Sequence, residues 1–130
     1  MFFVRDPFQN RVVLYEKTWL FHTAQKHNPA YGEILPNLGD VRESVLNPDQ
    51  IRRSLDPVIG TESCIFEKFI GPESQLLRTP VIYDLSPGTA YETAITSGHV
   101  MTSFYPDPPY RSVNVGEVFW VKPNPEEQGK

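Results

Sequence analysis

This chain of 130 residues has a single cysteine, no long apolar run and no recognisable signal sequence. Cys64 is the only cysteine, so no internal disulfide and no cysteine-rich zinc site can form, and a reducing compartment is expected. No apolar run approaches the ~20 residues of a membrane-spanning helix. No basic segment followed by an apolar core and a cleavage site opens the chain. We therefore expect a cytoplasmic protein without membrane association.

Motifs for cofactors and metals are missing as well. The sequence contains no glycine-rich phosphate loop, no nucleophile elbow and no carboxylate–histidine metal cluster. An enzyme with this sequence is therefore expected to need neither a metal ion nor a nucleotide cofactor.

Positive charge is in short supply too. The net charge is −4 at pH 7, which disfavours a broad nucleic-acid-binding surface. Residues 1–53 nevertheless hold seven Lys/Arg against six Asp/Glu, so a small cationic site in the N-terminal part is compatible with the composition.

Apolar and aromatic residues are plentiful. They make up 39% and 12% of the chain, enough for one hydrophobic core. The thirteen prolines are about twice the usual share. They fall mainly between predicted elements, which favours short elements joined by stiff loops. We predict a single domain over residues 1–122 and a polar tail over residues 123–130.

The N-terminal part alternates between strand and helix patterns. Asp6-Pro7 and Asn10, which can adopt a positive φ, are typical of a turn and predict a first hairpin. Asn47 and Pro48 have the chemistry of a helix N-cap and first helical position, so a further helix is expected there, with Ile51 on its apolar side. The predicted elements are strands at 2–5 and 11–15 and helices at 16–27, at 40–46 and after Asn47.

The pattern changes after Gly60 to β-branched and aromatic runs. Ser97-Gly98, between two such runs, is interpreted as a tight hairpin turn. Helices followed by strands indicate an α+β fold, with short N-terminal helices packed on a mainly antiparallel sheet formed from about residue 62 onward. The predicted strands are 63–70, 79–85, 90–96, 99–105 and 112–121.

Two histidines lie on the predicted 16–27 helix. Trp19 and Lys26 stand three residues before and four residues after His22, so the three share a face. A cation beside an imidazole lowers its pKa and favours the neutral base near pH 7, which suits a general base, although a partly buried histidine that is hydrogen-bonded to the backbone is the more common case. His27 is five residues on, which does not suit a paired zinc site, and it can interact with the helix C-terminus instead.

Further candidates lie downstream. Arg52 and Arg53 can hold phosphates, although adjacent charges are more often solvated. Lys68 on its strand either faces the helices or points outward. Thr102 and Ser103 offer hydroxyl groups near the end of a late strand.

Taken in order, these residues resemble the phage and mobile-element branch of the barnase–EndoU–colicin–RelE-like (BECR fold) nucleases. The pattern is a D-x-x-x-N turn, V-x-L, a tryptophan, two histidines, NPDQIRRS, a strand lysine and a late V-x-T-S-F. Its carriers are Asp6, Asn10, Val12, Leu14, Trp19, His22, His27, Pro29, Asn47, Pro48, Asp49, Ile51, Ser54, Lys68 and the run HVMTSFY at 99–105.

The resemblance implies a small α+β fold that cleaves RNA without metal on the open face of its sheet. The ribose 2′-hydroxyl attacks the adjacent phosphate, and this needs a base, an acid and cations. His22 would be base or acid, Lys68 the phosphorane stabiliser, and Thr102 or Ser103 a phosphate contact. The residues expected to bind substrate are Lys26, His27, Arg52 and Arg53.

Such a protein would be a ribonuclease-like toxin or mobile-element effector held by an antitoxin or immunity protein. Two alternatives stay open. One is a non-catalytic binding module of the same fold that interacts with a protein partner. The other is an unrelated α+β protein with structural histidines.

Overall fold

The computed structural model describes residues 2–19, 36–55, 63–85, 96–106 and 115–123. In this part of the chain, seven strands form one sheet in the order β1-β2-β6-β5-β4-β3-β7. A helical stretch begins at residue 16 and is described as far as residue 19. The elements are β1 (Phe2–Arg5), β2 (Arg11–Leu14), α1 (Leu38–Leu46), β3 (Gln50–Ser54), β4 (Ser63–Ile70), β5 (Gln75–Tyr83), β6 (Ser97–Val100) and β7 (Val115–Val121).

The first hairpin forms where the sequence predicts it. β1 and β2 pair antiparallel, and one oxygen of the Asp6 side chain accepts hydrogen bonds from the backbone N–H groups of Phe8 and Asn10, both at 2.8 Å. The residue with positive φ is Gln9, at 70°, rather than Asn10. The Asp6 side chain thus closes the turn as an Asx cap.

The fold is α+β with a mostly antiparallel sheet, as predicted. The exception is the pair β2–β6, which is parallel. The sheet is also wider than expected, because β1, β2 and β3 from the N-terminal half pair with the later strands. The prediction that the sheet forms from about residue 62 onward therefore omits three of its strands.

The helix predicted after Asn47 is wrong. Residues from Gln50 onward form β3, which pairs antiparallel with β4 on one side and with β7 on the other. A strand paired on both sides satisfies its backbone groups more completely than a short isolated helix could. Asn47 is accordingly the C-cap of α1, and the N-cap is Asn37, whose side chain accepts from the N–H of Gly39 at 2.7 Å.

The predicted turn at Ser97-Gly98 is also wrong, because both residues lie within β6. A Cβ on Gly98 would stand 2.8 Å from the Tyr83 ring and 2.8 Å from the Ile82 carbonyl oxygen. This glycine therefore allows close packing and not a reversal of the chain.

Of the other predicted strands, 63–70 matches β4. The one at 79–85 begins earlier as β5, and the one at 99–105 begins at Ser97 and ends at Val100 as β6. The one at 112–121 is described from residue 115 onward, as β7. The strand predicted at 90–96 lies outside the described residues except for residue 96, which is not in a strand.

Side chains of the central strands alternate between two faces of the sheet. The helix face carries α1, which buries Val41 and Val45 against Phe66 and Val81. Phe8 in the first turn and Trp120 on β7 make an edge-to-face contact, with ring centroids 6.3 Å apart. The first and last strands of the sheet are thereby linked on the side of the core. We call the other side of the sheet the opposite face.

In the described part, no helix has the length and apolar character needed to cross a membrane. Residues 20–27 of the predicted first helix, and nearly all of the predicted polar tail, lie outside the described residues. The predicted boundary near residue 122 stays a prediction.

Candidate functional site

A depression of about 530 Å³ opens on the opposite face where β2, β6 and the end of β5 lie side by side. The register places Arg11 beside Ser97 and Val13 beside His99, and His99 beside Ile82 on β5. Among the described residues that line it are Arg11, Val13, Tyr15, Ile82, Asp84 and His99. We call this the β2–β6 depression.

Cationic and aromatic groups share this depression. The Arg11 guanidinium lies 4.7 Å above the centroid of the Phe3 ring, which restricts its motion while leaving its N–H groups accessible. The rings of Tyr15 and His99 are 6.3 Å apart at their centroids and tilted by 50°. Phe3 and Tyr15 are each 56% exposed. Tyr15 lines the depression, and Phe3 lies beside it under the Arg11 guanidinium.

The depression rests on a buried network. The second oxygen of the Asp6 carboxylate accepts a hydrogen bond from the Tyr83 hydroxyl at 2.8 Å. The Asn10 side-chain oxygen accepts from the Thr96 N–H at 2.9 Å. Asp6 and Asn10, two carriers of the family resemblance, thus fasten the first turn to β5 and to the start of β6. They position the residues around the depression and do not line it.

A second polar group on the opposite face is buried. Glu67 is fully buried. One of its carboxylate oxygens accepts from the Gln50 amide and from Arg52 Nε, both at 2.6 Å, and the other accepts from Arg78 Nε at 2.7 Å. Arg52 also donates to the Gly116 carbonyl at 3.2 Å. We call Gln50, Arg52, Glu67 and Arg78 the Glu67 cluster.

Of the predicted substrate-binding pair, Arg52 belongs to the Glu67 cluster. Arg53 lies on the next position of β3, with its guanidinium 4.5 Å over the Phe119 ring and 4.0 Å from the Glu117 carboxylate. Successive residues of a strand point to opposite faces. The two arginines therefore do not act as one cationic patch.

Lys68 is placed on the helix face. Its Nζ donates to the Asn47 carbonyl at 2.8 Å, at the C-terminal end of α1. A cation in this position satisfies a terminal carbonyl and interacts favourably with the helix dipole. This contact gives Lys68 a structural function.

Ser103 also lies on the helix face. Its hydroxyl is 2.8 Å from that of Thr79, which is 2.7 Å from that of Ser44, and Ser44 donates to the Val41 carbonyl at 2.6 Å. Ser103 is only 2% exposed, whereas Thr102 is half-buried. Ser103 and Lys68 thus lie on the side of the sheet away from the depression.

The remaining predicted site residues, His22, Lys26 and His27, lie outside the described residues. Their roles stay predictions, as do those of Lys68, Thr102 and Ser103. The sequence interpretation did not identify Arg11, Tyr15 or His99 as a site. The alternation of Arg11, Val13 and Tyr15 was visible, but nothing local indicates that β2 pairs in parallel with β6.

Within the described ranges, no group of three His, Cys, Asp or Glu side chains could hold a metal ion. Comparison with known proteins gives no match: no family model, no curated protein and no solved structure is significantly similar to this chain.

Proposed function

We propose that the protein is a metal-independent, ribonuclease-like protein that binds single-stranded RNA in the β2–β6 depression. One observation carries the proposal: a cation, an exposed aromatic ring and an imidazole line one exposed depression. The side chains of Arg11, Tyr15 and His99 make no hydrogen bond to any other residue that the structure describes. They are therefore available to a ligand.

Each group has a counterpart in a ribonucleotide. Bases stack on aromatic side chains with little dependence on their identity. A guanidinium binds a phosphate through parallel N–H donors. An imidazole can transfer a proton near neutral pH. Arg11, Tyr15 and His99 lie together on the opposite face of the sheet, which α1 does not cover.

In the proposed reaction, the ribose 2′-oxygen forms a bond to phosphorus and the bond from phosphorus to the 5′-oxygen breaks. The products are a 2′,3′-cyclic phosphate and a free 5′-hydroxyl. One proton leaves the 2′-hydroxyl for a base, and an acid gives one to the departing oxygen. His99 supplies one of these groups, and His22 remains the predicted candidate for the other. Arg11 neutralises charge on the phosphorane.

The test is incubation of the pure protein with a fluorescent single-stranded RNA in EDTA, with detection of cyclic-phosphate ends. His99→Ala is expected to reduce the cleavage rate ~100-fold or more, the usual scale for a lost acid–base group. Arg11→Ala should weaken both binding and cleavage. Arg42→Ala is the matched control, because Arg42 is on α1 and its side chain is 48% exposed. It should cleave like wild type.

Lys68→Ala distinguishes an active site in the β2–β6 depression from the one predicted from the sequence, in which Lys68 stabilises the phosphorane. If the depression is the site, this variant should lose stability but keep its cleavage rate per folded molecule. If Lys68→Ala abolishes cleavage while His99→Ala does not, the active site lies on the helix face and not in the depression. If wild type cleaves no RNA and binds none, the proposed function is wrong.

The second candidate, a non-catalytic module that interacts with a protein such as an antitoxin or immunity protein, is favoured by β7. This strand is the last in the described sheet, and its Val121 is 63% exposed. An exposed apolar edge suits strand addition by a partner. Retention of a partner by wild type and its loss on Val121→Lys, without any RNA cleavage, would support this candidate.

A further inference from the structure

Two arginines stand side by side on the first hairpin. The register pairs Arg5 on β1 with Arg11 on β2, so both point to the opposite face, where their side chains are exposed. The N–H of Asp6 donates to the Asn10 carbonyl at 2.9 Å, and hydrogen-bonded pairs alternate with non-hydrogen-bonded ones along an antiparallel ladder. Arg5 and Arg11 are therefore a non-hydrogen-bonded pair, the kind in which the side chains lie closest.

Both guanidinium groups are held in place without being neutralised. Arg5 Nη1 donates to the Gln9 carbonyl at 3.0 Å, and the Arg11 guanidinium lies over the Phe3 ring. Neither makes an ion pair with a carboxylate in the described ranges. Like charges directly opposite each other on neighbouring strands are unfavourable, so the contact between these arginines does not stabilise the free protein.

The Glu67 cluster shows what completes a pair of arginines on this face. There, Arg52 and Arg78 donate to the two oxygens of a single carboxylate. Among the described residues, no carboxylate is shared by Arg5 and Arg11 in this way. An anion from outside the protein would complete this second pair as Glu67 completes the first.

The carboxylate that lines the depression lies too far away to do so. The register aligns one row of residues across β1, β2, β6 and the end of β5, namely Arg5, Arg11, Ser97 and Asp84. At the usual separation of strands, the backbone of Asp84 is about 10 Å from that of Arg11 and about 15 Å from that of Arg5. Two cations at one end of the row and a carboxylate at the other direct an anion to β1 and β2.

Two adjacent cations favour an anion with two charges. A phosphate monoester carries a charge of about −1.5 to −2 at pH 7 and has three terminal oxygens. A phosphodiester within an RNA strand carries a single charge and has fewer free oxygens. Because each guanidinium binds phosphate oxygens through parallel N–H donors, a pair of arginines matches the monoester better than the diester.

We propose that Arg5 and Arg11 form a binding site for a phosphate monoester, which we call the Arg5–Arg11 site. In an RNA bound in the depression, the 5′-terminal phosphate supplies this group. That source rests on the proposed function, whereas the chemistry of the site does not. A free mononucleotide offers the same group.

The site has a consequence for the proposed reaction. Cleavage leaves a cyclic phosphate, which is a diester, and a 5′-hydroxyl, so the fragment downstream of a cut has no phosphate monoester at its 5′ end. The Arg5–Arg11 site therefore favours uncut strands that begin with a phosphate over the fragments cut from them. Arg11, which has several N–H donors, contacts both the terminal phosphate and the scissile one.

The test measures binding of 2′-O-methyl uridine pentamers, which cannot be cleaved by 2′-hydroxyl attack. Each carries a fluorophore at its 3′ end and either a phosphate or a hydroxyl at its 5′ end. Fluorescence anisotropy is measured at one fixed salt concentration, since phosphate contacts depend on salt. Wild type should bind the 5′-phosphate form roughly tenfold more tightly than the 5′-hydroxyl form.

Arg5→Ala should remove most of this preference while binding the 5′-hydroxyl form nearly as well as wild type. Arg5→Lys keeps the charge but loses the parallel donors, so it should keep only part of the preference. Arg42→Ala is the matched control, because Arg42 is an exposed arginine on α1, and it should keep all of it. Urea midpoints show that each variant is folded.

The outcomes distinguish the site from the proposed function. If wild type binds both pentamers equally, RNA binding stands and the Arg5–Arg11 site is overturned. If Arg5→Ala keeps the full preference, other residues bind the terminal phosphate and the assignment is overturned. If neither pentamer binds, the proposed function fails, and a phosphorus NMR titration with uridine 5′-monophosphate tests the site alone. Binding to wild type and not to Arg5→Ala would then support the site with a free nucleotide as its ligand, and no binding would overturn it.

Discussion

The opposite face of the sheet contains two polar regions that differ in how their hydrogen bonds are used. In the Glu67 cluster, every carboxylate oxygen has at least one donor, and the Arg78 side chain is only 4% exposed. In the β2–β6 depression, the charged groups of Arg11 and Asp84 are exposed and make no hydrogen bond to described residues.

The difference indicates which region supports the fold and which can bind a ligand. A buried charge is tolerated only when it is paired and hydrogen-bonded, and removing one partner leaves the others uncompensated. An exposed charge without partners contributes little to stability, since water already solvates it. Stability should therefore depend on the Glu67 cluster, and ligand binding on the depression.

The largest expected effect is from Glu67→Gln. This change keeps the shape of the side chain but leaves Arg52 and Arg78 without an anion between them. We expect the free energy of unfolding to fall by about 3 kcal/mol, the lower end for a broken buried pair, because the Arg52 side chain is 30% exposed and can remain partly hydrated. Urea unfolding followed by tryptophan fluorescence measures it.

The control for this change is Glu117→Gln, which removes an exposed carboxylate that lies 4.0 Å from Arg53. It should alter the unfolding free energy by no more than about 0.5 kcal/mol. Equal effects from the two variants would contradict the distinction between the two regions, because they would show that the Glu67 cluster is solvated like a surface pair.

The Glu67 cluster also shows where the sequence was informative. The strand 63–70 was predicted with its full extent, because apolar and β-branched residues dominate it and Gly71-Pro72 follows it. The burial of Glu67 was not predictable. Its three donors come from β3 and β5 and meet it only through the register of the sheet, which no local pattern contains.

The same limit explains the wrong helix after Asn47. Local capping chemistry at Asn47-Pro48 favoured a helix, whereas pairing of β3 with both β4 and β7 favours a strand, and tertiary pairing prevailed. The depression was missed for a related reason. Its two halves, β2 and β6, are more than eighty residues apart in the chain and meet through a parallel pairing.

A smaller difference in stability is expected between variants of the two asparagines at the ends of α1, Asn37 and Asn47. The Asn37 side chain accepts from the Gly39 N–H, while Asn47 contributes its backbone carbonyl to Lys68. Asn37→Ala should lower the free energy of unfolding by about 1 kcal/mol through loss of the N-cap. Asn47→Ala should cost less than about 0.5 kcal/mol. Urea midpoints in the reverse order would show that the Asn47 side chain acts as a helix N-cap.

The smallest expected effect concerns Tyr105, which lies beside α1 on the helix face. Burial, and to a lesser degree the negative charge of Asp40, raises the pKa of the Tyr105 phenol above its ordinary value of 10.0. The folded protein thus holds this proton more tightly than the unfolded chain does. The resulting contribution to stability is complete below pH 10.0 and is lost as the pH rises through the raised pKa.

Comparison of wild type with Tyr105→Phe isolates this contribution, because the other titrating groups cancel. The fall in unfolding free energy between about pH 9 and pH 11 should be slightly smaller in the variant. Tyr15→Phe, on the opposite face, is the control for loss of a tyrosine.

In ultraviolet difference titrations, Asp40→Asn should lower the pKa of Tyr105 while leaving it above 10.0, since burial is the larger cause. A Tyr105 phenol that titrates at 10.0 in the folded protein would show that it is solvated as fully as a free tyrosine, and would contradict the assigned effect of burial and Asp40.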